Sequence, residues 1–262
     1  MSGLPRPYEM LILAGGFGTR LQSVINTIPK PMAPVGNRPF LAHLLDYWLD
    51  QGIQRFVLST GHLGHVIQQH FGTSYRDASI EYVHEKVPLG TGGALRLALN
   101  SVAWTHETAL LTNGDTWFSV DLRQLCADAG QQQTPITIAL KAMGKNDRYG
   151  GVEVDTDRKI RRFGVQAEGK SLINAGCYLL NVKLLKQALA TMPEVFSLEQ
   201  DFLADYAAQG LVGSSLQDQP FLDIGIPEDY YKASHFLQGT SPDAASKKEH
   251  SGDDRGPASF AG

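Results

Sequence analysis

The chain has 262 residues, 42% hydrophobic and 19% charged, and its 23 Lys and Arg against 27 Asp and Glu leave a formal net charge of −4. Such a length carries a sizeable core without disulfide staples, and an acidic balance argues against a nucleic-acid partner, which calls for clustered positive charge. No apolar run approaches the roughly 18 residues of a membrane-spanning helix, and Met1 to Leu13 lacks the order of a signal peptide, so a cytoplasmic protein without membrane association is expected.

In chain order, Leu11 to Leu13 reads as a buried strand. Pro39 then opens a helix whose apolar positions Phe40, Leu41, Leu44, Leu45, Trp48 and Leu49 share one face, and Gly52 closes it. Phe56 to Leu58 is a strand, Gly61 to His70 a helix, Ile80 to Val83 a strand, Gly92 to Asn100 a helix and Leu110 to Leu111 a strand. That alternation predicts an α/β fold with a mainly parallel sheet flanked by helices. Ile136 to Lys141, Val152 to Asp155, Ile160 to Phe163 and Leu172 to Leu180 read as strands on short turns, an antiparallel flap added to the sheet. Ser197 with Gln200 forms a capping-box pattern ahead of a helix through Phe202, Leu203 and Tyr206. One domain over 1–238 is expected, followed by a disordered tail over 239–262 that contains no Ile, Leu or Val. Cys126 and Cys177 have no paired spacing and are read as buried, reduced thiols.

Three glycines follow the first strand in Leu13-Ala14-Gly15-Gly16-Phe17-Gly18-Thr19-Arg20-Leu21. A turn without Cβ atoms lets backbone N–H groups converge on an anion or lie against a flat ring, so a nucleotide is the natural guest. The dinucleotide fingerprint would need Gly at Leu21, and a P-loop would need Gly-Lys-Ser/Thr, so both standard readings fail. Pro29 and Pro31 flank Lys30 and fix the direction in which its ammonium is presented. A second glycine-rich loop, Gly90-Thr91-Gly92-Gly93, precedes a helix and offers free N–H groups. Asp115 and Asp223 each follow a short apolar strand, where ligands of open α/β sheets bind.

Leu-Ala-Gly-Gly-Phe-Gly-Thr-Arg-Leu followed by Pro-Lys-Pro-Met resembles the sugar 1-phosphate nucleotidyltransferases, and the likeness runs from about Met10 to Leu237. It includes Leu89-Gly90-Thr91-Gly92-Gly93-Ala94, Asn113-Gly114-Asp115-Thr116, Arg148-Tyr149-Gly150, Asn174-Ala175-Gly176 and Asp223-Ile224-Gly225-Ile226-Pro227. Lys30-Pro31-Met32-Ala33-Pro34, Ser197-Leu198-Glu199 and Ile226-Pro227-Glu228-Asp229-Tyr230-Tyr231 look most like the guanylyltransferase branch. The resemblance implies a Rossmann-like, GT-A-like fold, GTP and a heptose 1-phosphate as substrates with mannose 1-phosphate the alternative sugar, a homodimer, and a place in surface polysaccharide synthesis.

It also implies the roles. Arg20 and Lys30 would grip the triphosphate, with Asp115 the third catalytic residue, and Asp115 and Asp223 would hold Mg²⁺. The nucleotide would lie on Leu13, Ala14, Gly15, Gly16, Gly18, Thr19, Gly90, Thr91 and Gly92, and the sugar on Gly150 and Asn174. One departure stands out: members of this family commonly carry Phe-x-Glu-Lys before the Asn-Ala-Gly segment, whereas Phe163 is followed by Gly164, Val165 and Gln166. Lys170, and behind it Glu168, are the nearest substitutes. A metal-dependent glycosyltransferase would usually show Asp-x-Asp where Asn113-Gly114-Asp115 has one acid, and a non-catalytic nucleotide-sensing homologue would be free to lose Arg20, Lys30, Asp115 and Asp223. His62, His65 and His70 read as a solvated helix face, Arg158 to Arg162 as a charged edge strand, and Trp48 and Trp117 as core.

Overall fold

The structure, a computed structural model, describes residues 9–16, 28–144, 149–165 and 171–240. Among them β1 (Glu9–Leu13), β4 (Arg55–Thr60), β6 (Ala78–His84) and β7 (Thr108–Asn113) lie parallel in the spatial order β7-β1-β4-β6. Helices α1 (Phe40–Asp50) and α2 (Gly64–Phe71) connect neighbouring strands on one side of β1, while α3 (Gly90–Ser101) carries the chain back to β7 on the other. The direction of winding therefore reverses between β1 and β7, which opens a crevice beyond their carboxyl ends.

Strand alternation divides the core between the two faces. Met10 and Ile12 pack with Phe40, Leu41, Leu44, Leu45 and Trp48 of α1, whereas Leu11, Val57 and Leu111 pack with Leu95, Ala98 and Leu99 of α3. Trp48 and Trp117 are buried, as the sequence led us to expect. Both cysteines are buried and neither forms a disulfide, and burial pushes the Cys177 thiol up to about 12.

The antiparallel part forms as expected. The long strand β12 (Ser171–Asn181) pairs antiparallel with β7, with β9 (Ile136–Met143) and with β10 (Gly151–Val154), and β11 (Ile160–Val165) closes that edge. Of the cations at this edge, Arg158, in the turn before β11, pairs with Asp128 at 2.7 Å and Arg161 with Asp155 at 2.6 Å. The β12 register against β9 jumps between Asn174 and Tyr178, with Gly176 at φ +70° inside the bulge. Such a bulge re-aims side chains.

Several elements lie beyond the sequence reading: the β2 (Pro34–Val35) and β3 (Arg38–Pro39) hairpin, β5 (Ser74–Tyr75), α4 (Leu122–Gln132), α5 (Val182–Leu189), β13 (Val212–Gln217) and α7 (Pro227–Thr240), whereas α6 (Ala204–Ala208) carries the Tyr206 end of the helix expected after Ser197. The second helix starts three residues later than expected because Leu63 takes a left-handed φ of 58° and Gly64 N–H donates to Gly61 O at 3.0 Å. The boundary set at 238 falls inside the last turn of α7, and the tail beyond Thr240 lies outside the described residues. The helix expected after Ser197 opens as a π-helical turn, Leu198–Leu203, before α6. Ser197 Oγ accepts from Gln200 N–H at 3.2 Å, but the side chain that reaches back to Ser197 N–H is Asp201, at 2.7 Å, one residue later than in a capping box. No helix among the described residues is long and apolar enough to cross a membrane.

Candidate active site

The two acids that lie far apart in the chain are brought together by a small sheet of their own. β8 (Thr116–Phe118) pairs antiparallel with β14 (Phe221–Asp223), setting Asp223 opposite Thr116, and Ile224 N–H donates to Asp115 O at 3.0 Å. Lys30 joins them. Pro29 and Pro31 shape a 3₁₀ turn over Lys30–Met32, and the Lys30 ammonium forms an ion pair with Asp115 Oδ2. Asp223 Oδ1 accepts from Gly225 N–H at 2.6 Å and Oδ2 from the Tyr149 hydroxyl at 2.9 Å.

This cluster sits at a waist between two cavities. A space of about 220 Å³ bordered by Leu13, Ala14, Gly16, Lys30, Thr91 and Asp115 joins a first cavity of about 740 Å³ to a second of about 590 Å³. The first is lined by Leu13, Gly15, Gly16, Glu85, Gly90 and Thr91. Gly15 lies so close to Gly61 and Glu85 that a Cβ there would meet Glu85 Oε1 at 2.6 Å. His62 and His65 are exposed, in keeping with a solvated face, and they also border the same cavity.

The glycine loop ahead of α3 corrects another expectation. The N–H groups of Gly92 and Gly93 are not free for a ligand, because both donate to Phe196 O, at 3.1 and 3.3 Å. Gly92 is buried against the Phe196 ring, where a Cβ would come within 2.1 Å of a ring carbon. Gly90 and Thr91 do line the cavity. Gly92 serves it from behind, by letting Phe196 in.

The second cavity gathers Asn174, Gly150, Tyr149, Phe163, Tyr178 and Glu199 with both aspartates. Asn174 Oδ1 accepts from Gly176 N–H at 3.0 Å, and its Nδ2 donates to the Tyr178 hydroxyl at 3.0 Å. Gly18, Thr19 and Arg20, as well as Glu168 and Lys170, lie outside the described residues.

Glu85 and Tyr178 went unmarked in the sequence reading, and Tyr149 and Glu199 stood there only within matched segments, without a role. Glu85 accepts from Leu89 N–H at 3.1 Å and from the Ser59 hydroxyl at 3.4 Å. Burial raises its pKa against the opposing effect of those bonds. The available signal was a lone acid just ahead of the second glycine loop, in a chain segment that the first loop must face.

The profile described as nucleotidyl transferase matches residues 9–240. Over 233 residues the chain is 41% identical to D-glycero-alpha-D-manno-heptose 1-phosphate guanylyltransferase of Aneurinibacillus thermoaerophilus, covering 88% of this chain and 98% of that one. It is 32% identical over 247 residues to mannose-1-phosphate guanylyltransferase of Mycobacterium tuberculosis, covering 90% of this chain and 67% of that one. The crystal structure of HddC from Yersinia pseudotuberculosis complexed with GMP-PN superposes with a TM-score of 0.74 at 32% identity, over 87% of this chain and 98% of that one. With a crevice at the reversal of its sheet, a flanked lysine at its waist and a profile match across nearly all described residues, the chain belongs to the nucleotidyl transferase family.

Proposed function

We propose that the protein transfers GMP from GTP to D-glycero-alpha-D-manno-heptose 1-phosphate, forming GDP-heptose and releasing pyrophosphate. The observation that carries this reading is the joined pair of cavities with Lys30, Asp115 and Asp223 at their waist, supported by 41% identity over almost the whole length of a heptose 1-phosphate guanylyltransferase. The first cavity suits a purine nucleotide and the second a sugar.

A phosphate monoester with a second pKa of about 6 is already largely dianionic at neutral pH, so the attacking oxygen needs no base. The obstacle is the approach of two anions, and positive charge fixed in advance is the remedy. Lys30, held by two prolines, supplies one such charge beside the phosphates, and Arg20 a second. Asp115 and Asp223 fit Mg²⁺: the donors are hard carboxylate oxygens, one in the turn just ahead of β8 and one at the end of its partner β14, and the ammonium of Lys30 already shows that Asp115 attracts a cation. When bound, that ion would neutralise phosphate oxygens at the waist.

Glu85 supports guanine. Guanine offers two adjacent donors, N1–H and the N2 amine, which a carboxylate accepts together, whereas uracil and thymine offer one donor flanked by carbonyl oxygens that a carboxylate would repel. The cytoplasmic setting, the homodimer and the supply of an activated heptose for surface polysaccharide belong to the same reading.

Pyrophosphate release measured over a matrix of GTP, ATP, UTP and dTTP against heptose, mannose and glucose 1-phosphates tests it. GTP with the heptose 1-phosphate is the expected best pair. Preference for UTP or dTTP overturns the guanine assignment, and preference for mannose 1-phosphate overturns the heptose. In the same assay Asp115→Asn is expected to lower turnover by about tenfold or more with an unchanged Tm, as loss of charge compensation at the reacting phosphate requires.

A further inference from the structure

The second cavity lacks the acid that the family motif would place two residues after Phe163. That position is Val165, and Gly164, at φ +73°, has no atom of the described residues within 4 Å of where a Cβ would stand. The β11 wall thus offers the Phe163 ring and backbone. Among the described residues three acids line the cavity, and two of them, Asp115 and Asp223, lie at the waist and bond Lys30, Gly225 N–H and the Tyr149 hydroxyl. The third is Glu199.

Glu199 comes from the π-helical turn Leu198–Leu203, a geometry that recurs at functional sites. Its Oε2 accepts from the Thr91 hydroxyl at 2.7 Å and the Ser197 hydroxyl at 3.2 Å, which fix the side chain. Among the described residues its Oε1 takes only a long contact, 3.4 Å, from the Tyr178 hydroxyl, itself bonded to Asn174. A carboxylate has about four lone-pair positions, so Oε1 keeps acceptor capacity toward the cavity.

Resting on the reading that this cavity takes the sugar 1-phosphate, we propose that Glu199 is the specificity-determining residue that accepts hydrogen bonds from the sugar's hydroxyls, a carboxylate delivered from the π-helical turn where β11 supplies none. Asn174 and Tyr178 extend the same polar wall. The bonds to Thr91 and Ser197 give it the rigidity that hydroxyl recognition requires.

The test is Glu199→Gln, with kcat and KM measured separately for the sugar 1-phosphate and GTP, alongside Glu168→Gln. The expected result is a loss of about tenfold or more in kcat/KM for the sugar 1-phosphate, the size of one hydrogen bond to a charged acceptor. KM for GTP should stay within about twofold and Tm should be unchanged, and discrimination against single-deoxy sugar analogues should shrink. An equal rise in the KM for GTP, or a fall in Tm that accounts for the loss, would make Glu199 a brace for Thr91 and overturn the proposal; so would transfer of the effect to Glu168→Gln. Calorimetric binding of the sugar 1-phosphate separates the two readings. Absence of pyrophosphate release from every substrate pair sinks the transferase reading, and equal affinity of wild type and Glu199→Gln for the sugar sinks this one.

Discussion

Burial holds the Glu85 carboxyl above the ordinary carboxylate range, against the bonds from Leu89 N–H and Ser59 that favour its charged form. A carboxyl with a raised pKa in the fold contributes stability that is fully present below its unfolded value and is lost as pH rises through the folded one. At pH 8 the charged Glu85 therefore costs the free protein stability, and two guanine donors would repay that cost on binding. Glu85→Gln should have a Tm at pH 8 equal to or above that of the wild type, while kcat/KM for GTP falls by about tenfold or more. Thermal melts at pH 5 and 8 beside GTP kinetics check both signs; a lower Tm with unchanged GTP kinetics would make Glu85 a structural acid.

At the scale of elements, the start of α3 is joined to the segment around Phe196. Phe196 O accepts from Gly92 and Gly93, Phe196 N–H donates to Leu89 O at 3.0 Å, Leu198 N–H donates to the Thr91 hydroxyl at 2.9 Å, and the Arg96 guanidinium lies 5.5 Å from the Phe196 ring centre. One seam thus positions both the Thr91 wall of the first cavity and the Glu199 wall of the second. Gly92→Ala would push into the Phe196 ring, and overpacking of this kind costs about 1–3 kcal/mol. We expect a lowered Tm and raised KM values for both substrates together, in contrast to Glu199→Gln, which separates them. Kinetics with each substrate varied in turn distinguish the two patterns.

Across the whole molecule, the other end of the sheet is held by Glu9. Its buried carboxylate forms an ion pair with Arg55 and accepts from Thr105 N–H at 2.9 Å and His106 N–H at 3.0 Å, while Arg55 also bonds Glu81 and Ala103 O, so β1, β4, β6 and the chain leading into β7 meet at one charge. Burial pushes the Glu9 pKa up, but the bonds from His106, Arg55 and Thr105 outweigh it and the net shift is downward. Stability from Glu9 is present above its unfolded pKa and is lost as pH falls through the lowered value. Glu9→Ala leaves Arg55 without this partner and should cost roughly 3 kcal/mol, a Tm drop of roughly 6–12 °C. KM values should hold, since Glu9 begins β1 and the crevice lies beyond its other end. Chemical denaturation at pH 7 and pH 4 measures the loss and its decline in acid.

What the sequence determined by itself was local: the alternation of strand and helix in the first half, the glycine turn after β1, the lysine between two prolines, and the acids after short apolar strands. These rest on hydrophobic period and turn chemistry, which act over a few residues. Even there α4 and α5 escaped, although Asp121 and Asn181 cap them through their side chains, because their apolar stripes are short. The tertiary structure alone decided that Asp223 lies beside Asp115, since a three-residue pair of strands depends on where the sheet and α7 place its partners. It also decided that Gly92 makes room for Phe196 instead of a ligand, and that a π-helical turn carries Glu199 to the cavity where β11 offers no acid. Each of those outcomes is a contact between segments far apart in the chain, and periodicity holds no record of such contacts.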